Sequence, residues 1–122
     1  MTHQDALLET AAAAQFGNYR PAPMVLVEGR GSRVRDAGGK DYLDLAGGIA
    51  VLSVGHCHPR LSAAIAAQSA RLMHVSNLFF NDQAIKLAGA LTERTGFDKA
   101  YFCNSGAEAN ESLIKLARHH HH

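Results

Sequence analysis

The sequence predicts an α/β fold, on three observations. Residues 99–103, Lys-Ala-Tyr-Phe-Cys, form a short apolar run of the kind buried on both faces of a parallel sheet. Asn104-Ser105-Gly106 then supplies a turn. Residues 107–118 carry Ala109, Leu113, Leu116 and Ala117 at i, i+4, i+7 and i+8, the stripe of an amphipathic helix. Strand, turn and helix make one βα unit of a three-layer α/β fold.

The earlier elements follow in order. Residues 5–15 have good helix propensity and a weakly amphipathic pattern. Pro21 and Pro23 disfavour helix at the residues before them, so the stretch from Gly17 breaks that helix. Residues 24–28 read as a strand. Residues 32–45 read as a hairpin, with Arg33-Val34-Arg35 and Tyr42-Leu43-Asp44-Leu45 alternating around a turn at 36–40. Gly47-Gly48 opens an irregular stretch to Pro59, which suits the first position of a helix bearing Leu61, Ala64, Ile65, Gln68 and Leu72 on one face. A loop holding Phe79 and Phe80 leads to another helix, capped by Asn81 or Asp82 and stopped at Gly96. In the last helix Glu108 and Glu111 lie early and Lys115 and Arg118 late, which suits the helix dipole. The organisation expected is an N-terminal segment with a small hairpin (1–58), the start of a larger α/β domain (59–118), and a tail of four histidines (119–122) read as a tag or a truncated end.

Composition narrows the function. With 122 residues and 47% hydrophobic residues the chain can build a core, and its net charge of +1 with 7% aromatics argues against a nucleic-acid partner. There is no apolar run of 18 residues, so no membrane span is expected, and residues 1–16 lack the basic start and apolar centre of a signal peptide. Two cysteines make no disulfide framework, and the expected setting is the reducing cytoplasm.

The chemistry sits in the last turn. A tight turn from strand into helix leaves the first amides unpaired at the positive end of the dipole, where an anion satisfies them. Gly106 would let backbone approach a phosphate closely, with Ser105 offering a hydroxyl and Ala107 a further amide. Ser105-x-x-Glu108 also matches a capping box, which would satisfy such donors internally. Spacing leaves both readings open. The turn is neither a Walker A loop nor a three-glycine dinucleotide loop.

The stretch Phe102-Cys103-Asn104-Ser105-Gly106-Ala107-Glu108-Ala109-Asn110-Glu111, followed by Lys115-Leu116-Ala117-Arg118, resembles the cofactor-phosphate turn of class III aminotransferases of the acetylornithine and ornithine type. Tyr42-Leu43-Asp44, Gly48-Ile49-Ala50-Val51 with Gly55-His56-Cys57-His58-Pro59, and His74-Val75-Ser76-Asn77-Leu78 agree in order and spacing. The resemblance runs from about Tyr19 to Arg118. It implies the fold-type-I architecture of pyridoxal 5'-phosphate enzymes, of which this chain would be the N-terminal segment and first βα unit. It also implies a homodimer with active sites at the subunit interface, and amino transfer from N-acetylornithine to 2-oxoglutarate, giving glutamate, in arginine synthesis. Ornithine, succinylornithine, lysine or 4-aminobutyrate are alternative donors. By position, Gly106 and Ala107 would hold the cofactor phosphate with Ser105 beside them. Tyr19, Gly48, Ile49, Asn77 and Phe80 would line the substrate's approach, partly from the neighbouring subunit; relatives often carry tyrosine near Phe80. The family's Schiff-base lysine would lie beyond residue 122, so no catalytic residue is expected here and the chain alone is expected to be inactive. Lys40, Lys86, Lys99 and Lys115 do not fit the lysine motif and are expected on the surface.

Other features take plainer readings. A non-enzymatic α/β module that binds phosphate at 105–107, or merely packs, is the rival from another class. His56-Cys57-His58 offers only three metal ligands, and alternation in an extended chain would send Cys57 to the other side, so a structural role is expected and no metal. Cys103, after a buried strand, is expected to be inert. A lone strand and uncovered helix faces predict poor solubility or self-association.

Overall fold

The computed structural model describes residues 1–121; the last histidine of the tail lies outside them. The chain divides into two units, Met1–Met73 and His74–His122. The first begins with α1 (His3–Ala14), opened by a capping box in which Thr2 and Asp5 satisfy each other's amides. Strands β1 (Leu26–Arg30), β2 (Arg33–Asp36) and β3 (Asp41–Leu43) form one antiparallel sheet in that order. The expected hairpin is therefore present as β2–β3, with Val34 opposite Tyr42 and Arg35 opposite Asp41. β1 starts two residues later than expected and pairs with β2 through a two-residue turn, Arg30 facing Arg33. Gly31 makes that turn at φ 58, a conformation only glycine adopts without penalty.

Alternation along β2 sends Val34 and Asp36 inward and Arg33 and Arg35 outward. Val34 and Asp36 are the buried residues among those described. Asp36 is a carboxylate at the centre of the corner between β2 and β3. Its Oδ1 accepts from the Gly38 and Lys40 amides, each at 2.9 Å, and its Oδ2 from the Tyr42 hydroxyl at 2.8 Å. These donors, the Lys40 amide foremost, hold its carboxyl below the usual value, and the Tyr42–Asp36 bond pushes the Tyr42 hydroxyl up. Arg35 grips Asp41 with two bonds of 2.7 and 3.2 Å on the exposed face, a pair worth little in water.

Past the sheet come one turn, α2 (Gly47–Ala50), and α3 (Pro59–Ser69), with Pro59 at its first position. The second unit contains a 3-10 turn (Ser76–Leu78), α4 (Asp82–Thr95) and α5 (Gly106–His120). Asn81 caps α4 by accepting from the Ala84 amide at 2.8 Å, and Gly96 closes it in the left-handed region at φ 75. α5 runs two residues past its expected end, into the histidines.

The expected strand at 99–103 differs. Among the described residues these five make no strand. A parallel strand takes its hydrogen bonds from neighbours reached through crossovers, and among the described residues no strand pairs with it. Cys103, at the end of that expected strand, is exposed. The helix faces are likewise uncovered: Leu61 and Ile65 of α3, Ile85 and Leu87 of α4, and Leu113, Ile114 and Leu116 of α5 are all exposed. The accessible surface is 11047 Å², against roughly 6,400 Å² for a globular protein of this mass. Large apolar side chains on these helices contribute to the excess.

Candidate functional site

The corner at residues 103–109 resolves what spacing left open. Ser105 is the N-cap of α5, and its Oγ accepts from the Glu108 amide at 3.2 Å. Glu108 reaches back, its Oε2 accepting from the Ser105 amide at 3.1 Å and from the Asn104 amide at 2.6 Å. The capping box is real. It consumes the amides of residues 104, 105 and 108, and Ala109 donates to the Ser105 carbonyl at 3.0 Å. The amides of Gly106 and Ala107 have no acceptor among the described residues. Capping and anion binding therefore use different donors. The Ser105 hydroxyl hydrogen also remains free to donate, since its oxygen is used as the acceptor.

Gly106 does not have a positive φ, and nothing lies within 4 Å of where its Cβ would be. Neither the backbone conformation nor a neighbouring atom requires glycine here, and its lack of a side chain leaves the approach to the two amides open. Two unpaired amides, a hydroxyl and a clear approach at a helix N-terminus fit a phosphoryl group. An aldehyde-bearing pyridine phosphate is thus compatible with the residues present.

The other expected site residues fall in several places. Tyr19 belongs to the first unit and its ring is exposed. Asn77 and Phe80 are brought together: with Ser76, Leu78, Phe79 and Asn81 they line an open hollow of about 330 Å³. Phe80 is 93% exposed, so its ring is not core of this chain. Gly48 and Ile49 lie in α2, which is a left-handed turn: φ is 53 at Gly47, 64 at Gly48, 61 at Ile49 and 61 at Ala50. Glycine adopts this freely, whereas a β-branched isoleucine there costs on the order of 1–3 kcal/mol. The Ile49 side chain nevertheless points to solvent, 93% exposed.

Sequence reasoning missed what holds that turn. Asp44 Oδ1 accepts from the Ala46 and Gly47 amides, both at 2.9 Å, and its Oδ2 lies 2.7 Å from His56 Nε2. With Asp44 ionised, that ring nitrogen carries the hydrogen. The His56 bond, then the Gly47 and Ala46 amides, hold the Asp44 carboxyl below its ordinary value. The signal was an aspartate three residues before Gly47-Gly48, a side chain that caps turns. Around His56 the chain is not extended, since Cys57 has φ 50, so alternation does not describe that segment. Among the described residues no three metal-ligating groups cluster. The four lysines are exposed, Lys86 on Asp82, Lys115 on Glu111 and Lys40 over the Tyr42 ring.

Comparison with known proteins places these features in a family. Residues 15–122 match the family described as Aminotransferase class-III. An acetylornithine aminotransferase of Myxococcus xanthus is 53% identical over 93% of this chain and 28% of its own length. Among solved structures, acetylornithine aminotransferase from Elizabethkingia anophelis superposes with a TM-score of 0.91 at 35% identity, over 97% of this chain and 29% of that one. The ornithine aminotransferase from Toxoplasma gondii, with partial occupancy of PLP at its active site, gives 0.90 at 37% identity, over 96% and 28%. The α/β fold class read from the sequence is thus that of these structures. The chain spans little more than a quarter of the length of the relatives it matches.

Proposed function

Because the chain belongs to the class III aminotransferase family, we propose that it is the N-terminal part of a pyridoxal 5'-phosphate enzyme that moves an amino group from N-acetylornithine to 2-oxoglutarate. The observation that carries this reading is the pair of unpaired amides at Gly106 and Ala107, left over after the capping box is complete. In the assembled enzyme these amides and the Ser105 hydroxyl hold the cofactor phosphate, and the positive end of α5 adds to the hold. The bound cofactor supplies the electron sink that amino transfer requires. Tyr19, Gly48, Ile49, Asn77 and Phe80 shape the path of the amino donor, in a homodimer where some of them serve the neighbouring active site. The lysine that bonds the cofactor is supplied by sequence outside these residues. This chain alone therefore binds and orients without turning over, and the enzyme works in the cytoplasm in arginine synthesis. The described residues include no helix long and apolar enough to cross a membrane.

N-acetylornithine is preferred as donor because the Myxococcus xanthus relative, 53% identical to this chain, bears that name. The test is amino transfer to 2-oxoglutarate by the complete subunit with each donor. Turnover of N-acetylornithine well above ornithine is expected. A preference for ornithine would replace the donor, and no transfer from any ω-amino donor would overturn the reading.

A further inference from the structure

We infer that Asp44 and His56 form a latch that fixes the left-handed turn Gly47–Ala50, which makes them positioning residues for the amino donor. The inference rests on the proposed reading in one respect, that Gly48 and Ile49 line the donor's path.

A left-handed turn containing Ile49 and Ala50 persists only where its surroundings over-determine it. Its own bonds are few: Ala50 donates to the Ala46 carbonyl and Leu52 to the Gly47 carbonyl, both at 2.9 Å, and the Val51 amide also donates to the Gly47 carbonyl. The remaining hold comes from Asp44, whose two oxygens do separate work. Oδ1 takes the Ala46 and Gly47 amides, and Oδ2 takes His56. The residue is itself held in place. The His56 backbone exchanges two bonds with Gly31, of 2.9 and 2.8 Å. Its imidazole lies against Gly29 so closely that a Cβ there would sit 2.7 Å from the ring. Next to it, a Cβ on Gly55 would lie 2.9 Å from the Gly31 backbone. The turn is thus tied, through one carboxylate and one imidazole, to the edge of the three-stranded sheet. Asp44 and His56 are both half-buried, so water competes poorly for the bond between them. What the latch presents is Ile49, an apolar side chain on strained backbone aimed at solvent. A strained, outward apolar residue is the form a substrate-facing contact takes.

The experiment uses the complete subunit and reads hydrogen exchange by residue segment together with steady-state kinetics. In His56→Ala, exchange in residues 45–53 is expected to quicken at least about tenfold while β2 and β3 keep their protection. KM for the amino donor is expected to rise by about tenfold, with bound pyridoxal phosphate content unchanged. His56→Gln, whose side-chain amide can still donate to Asp44, is expected to recover part of both effects. Should His56→Ala fail to fold, Gly29→Ala displaces the ring without deleting it and is expected to move the same two readouts. Unchanged exchange in 45–53, or equal loss of protection in β2 and β3, overturns the latch. Faster exchange confined to 45–53 with an unmoved KM keeps the latch but removes the turn from the donor's path, which is a failure of the proposed reading.

Discussion

Two corners of this chain are each built around one carboxylate that accepts backbone amides, and they end in opposite conditions. At Asp36 every nearby donor is taken: two amides and the Tyr42 hydroxyl converge on a buried side chain. At Glu108 the carboxylate takes the amides of Asn104 and Ser105 and leaves those of Gly106 and Ala107 over. A saturated corner holds a fold together. A corner with donors left over has them available to an acceptor from outside. The wider units differ in the same way. The hairpin closes because its partner strand is a few residues distant, whereas residues 99–103 remain without a ladder because a parallel strand needs partners that no local turn can supply.

The comparison can be broken most severely at Asp36. Asp36→Ala strands three donors at once, and hydrogen exchange in β2 and β3 should quicken on the order of 100-fold while α4 and α5 are unmoved. Equal loosening of the helices would mean the hairpin is no independent support. Next is Gly106→Ala. A methyl meets nothing in the chain itself, so circular dichroism should show α5 unchanged or firmer by about 0.5 kcal/mol. Phosphate or cofactor binding should weaken by about tenfold, because the methyl stands in front of the free amides. Glu108→Ala should do the reverse, weakening the cap of α5 by about 1 kcal/mol on thermal melting without reducing phosphate affinity. Loss of phosphate binding in that variant would show that the two roles share donors after all.

Acid supplies a milder test. The Asp36 and Asp44 carboxyls are held below their unfolded value of 3.8, so their contribution to stability is present above that value and lost as pH falls through the folded one. Exchange protection in residues 26–56 should therefore hold at neutral pH and begin to decline below about pH 4. A decline beginning near pH 6 would point to another group. The smallest effect is expected at the exposed Glu111–Lys115 pair, 2.8 Å apart, where Lys115→Ala should cost about 0.3 kcal/mol in a thermal melt.

Much of this was legible in the sequence where the cause was local. Helix caps at Asn81 and Gly96, Pro59 at a first helical position and the alternation around Val34 depend on residues a few positions apart, and each lies within a residue or two of where it was expected. The β1–β2 pairing was readable too, from Gly31-Ser32 between two charged strand ends, but residues 24–28 drew attention to the wrong edge. The strand at 99–103 has the right composition and lacks only its neighbours. The Asp44–His56 pair joins residues twelve apart through a turn of unusual hand, and no periodicity announces it. At the N-terminus of α5 the capping-box spacing marked the place, yet which amides remain free depends on where the Glu108 carboxylate lands, which spacing does not determine.

Amide chemical shifts of the 15N-labelled chain, followed during titration with pyridoxal phosphate and separately with inorganic phosphate, test the central claim most directly. The account predicts saturable shifts centred on Gly106 and Ala107, with Asn104 scarcely moved because Glu108 keeps its bond. No shift at these two amides at millimolar ligand, or shifts only at Asn104 and Ser105 as Glu108 is displaced, would contradict it.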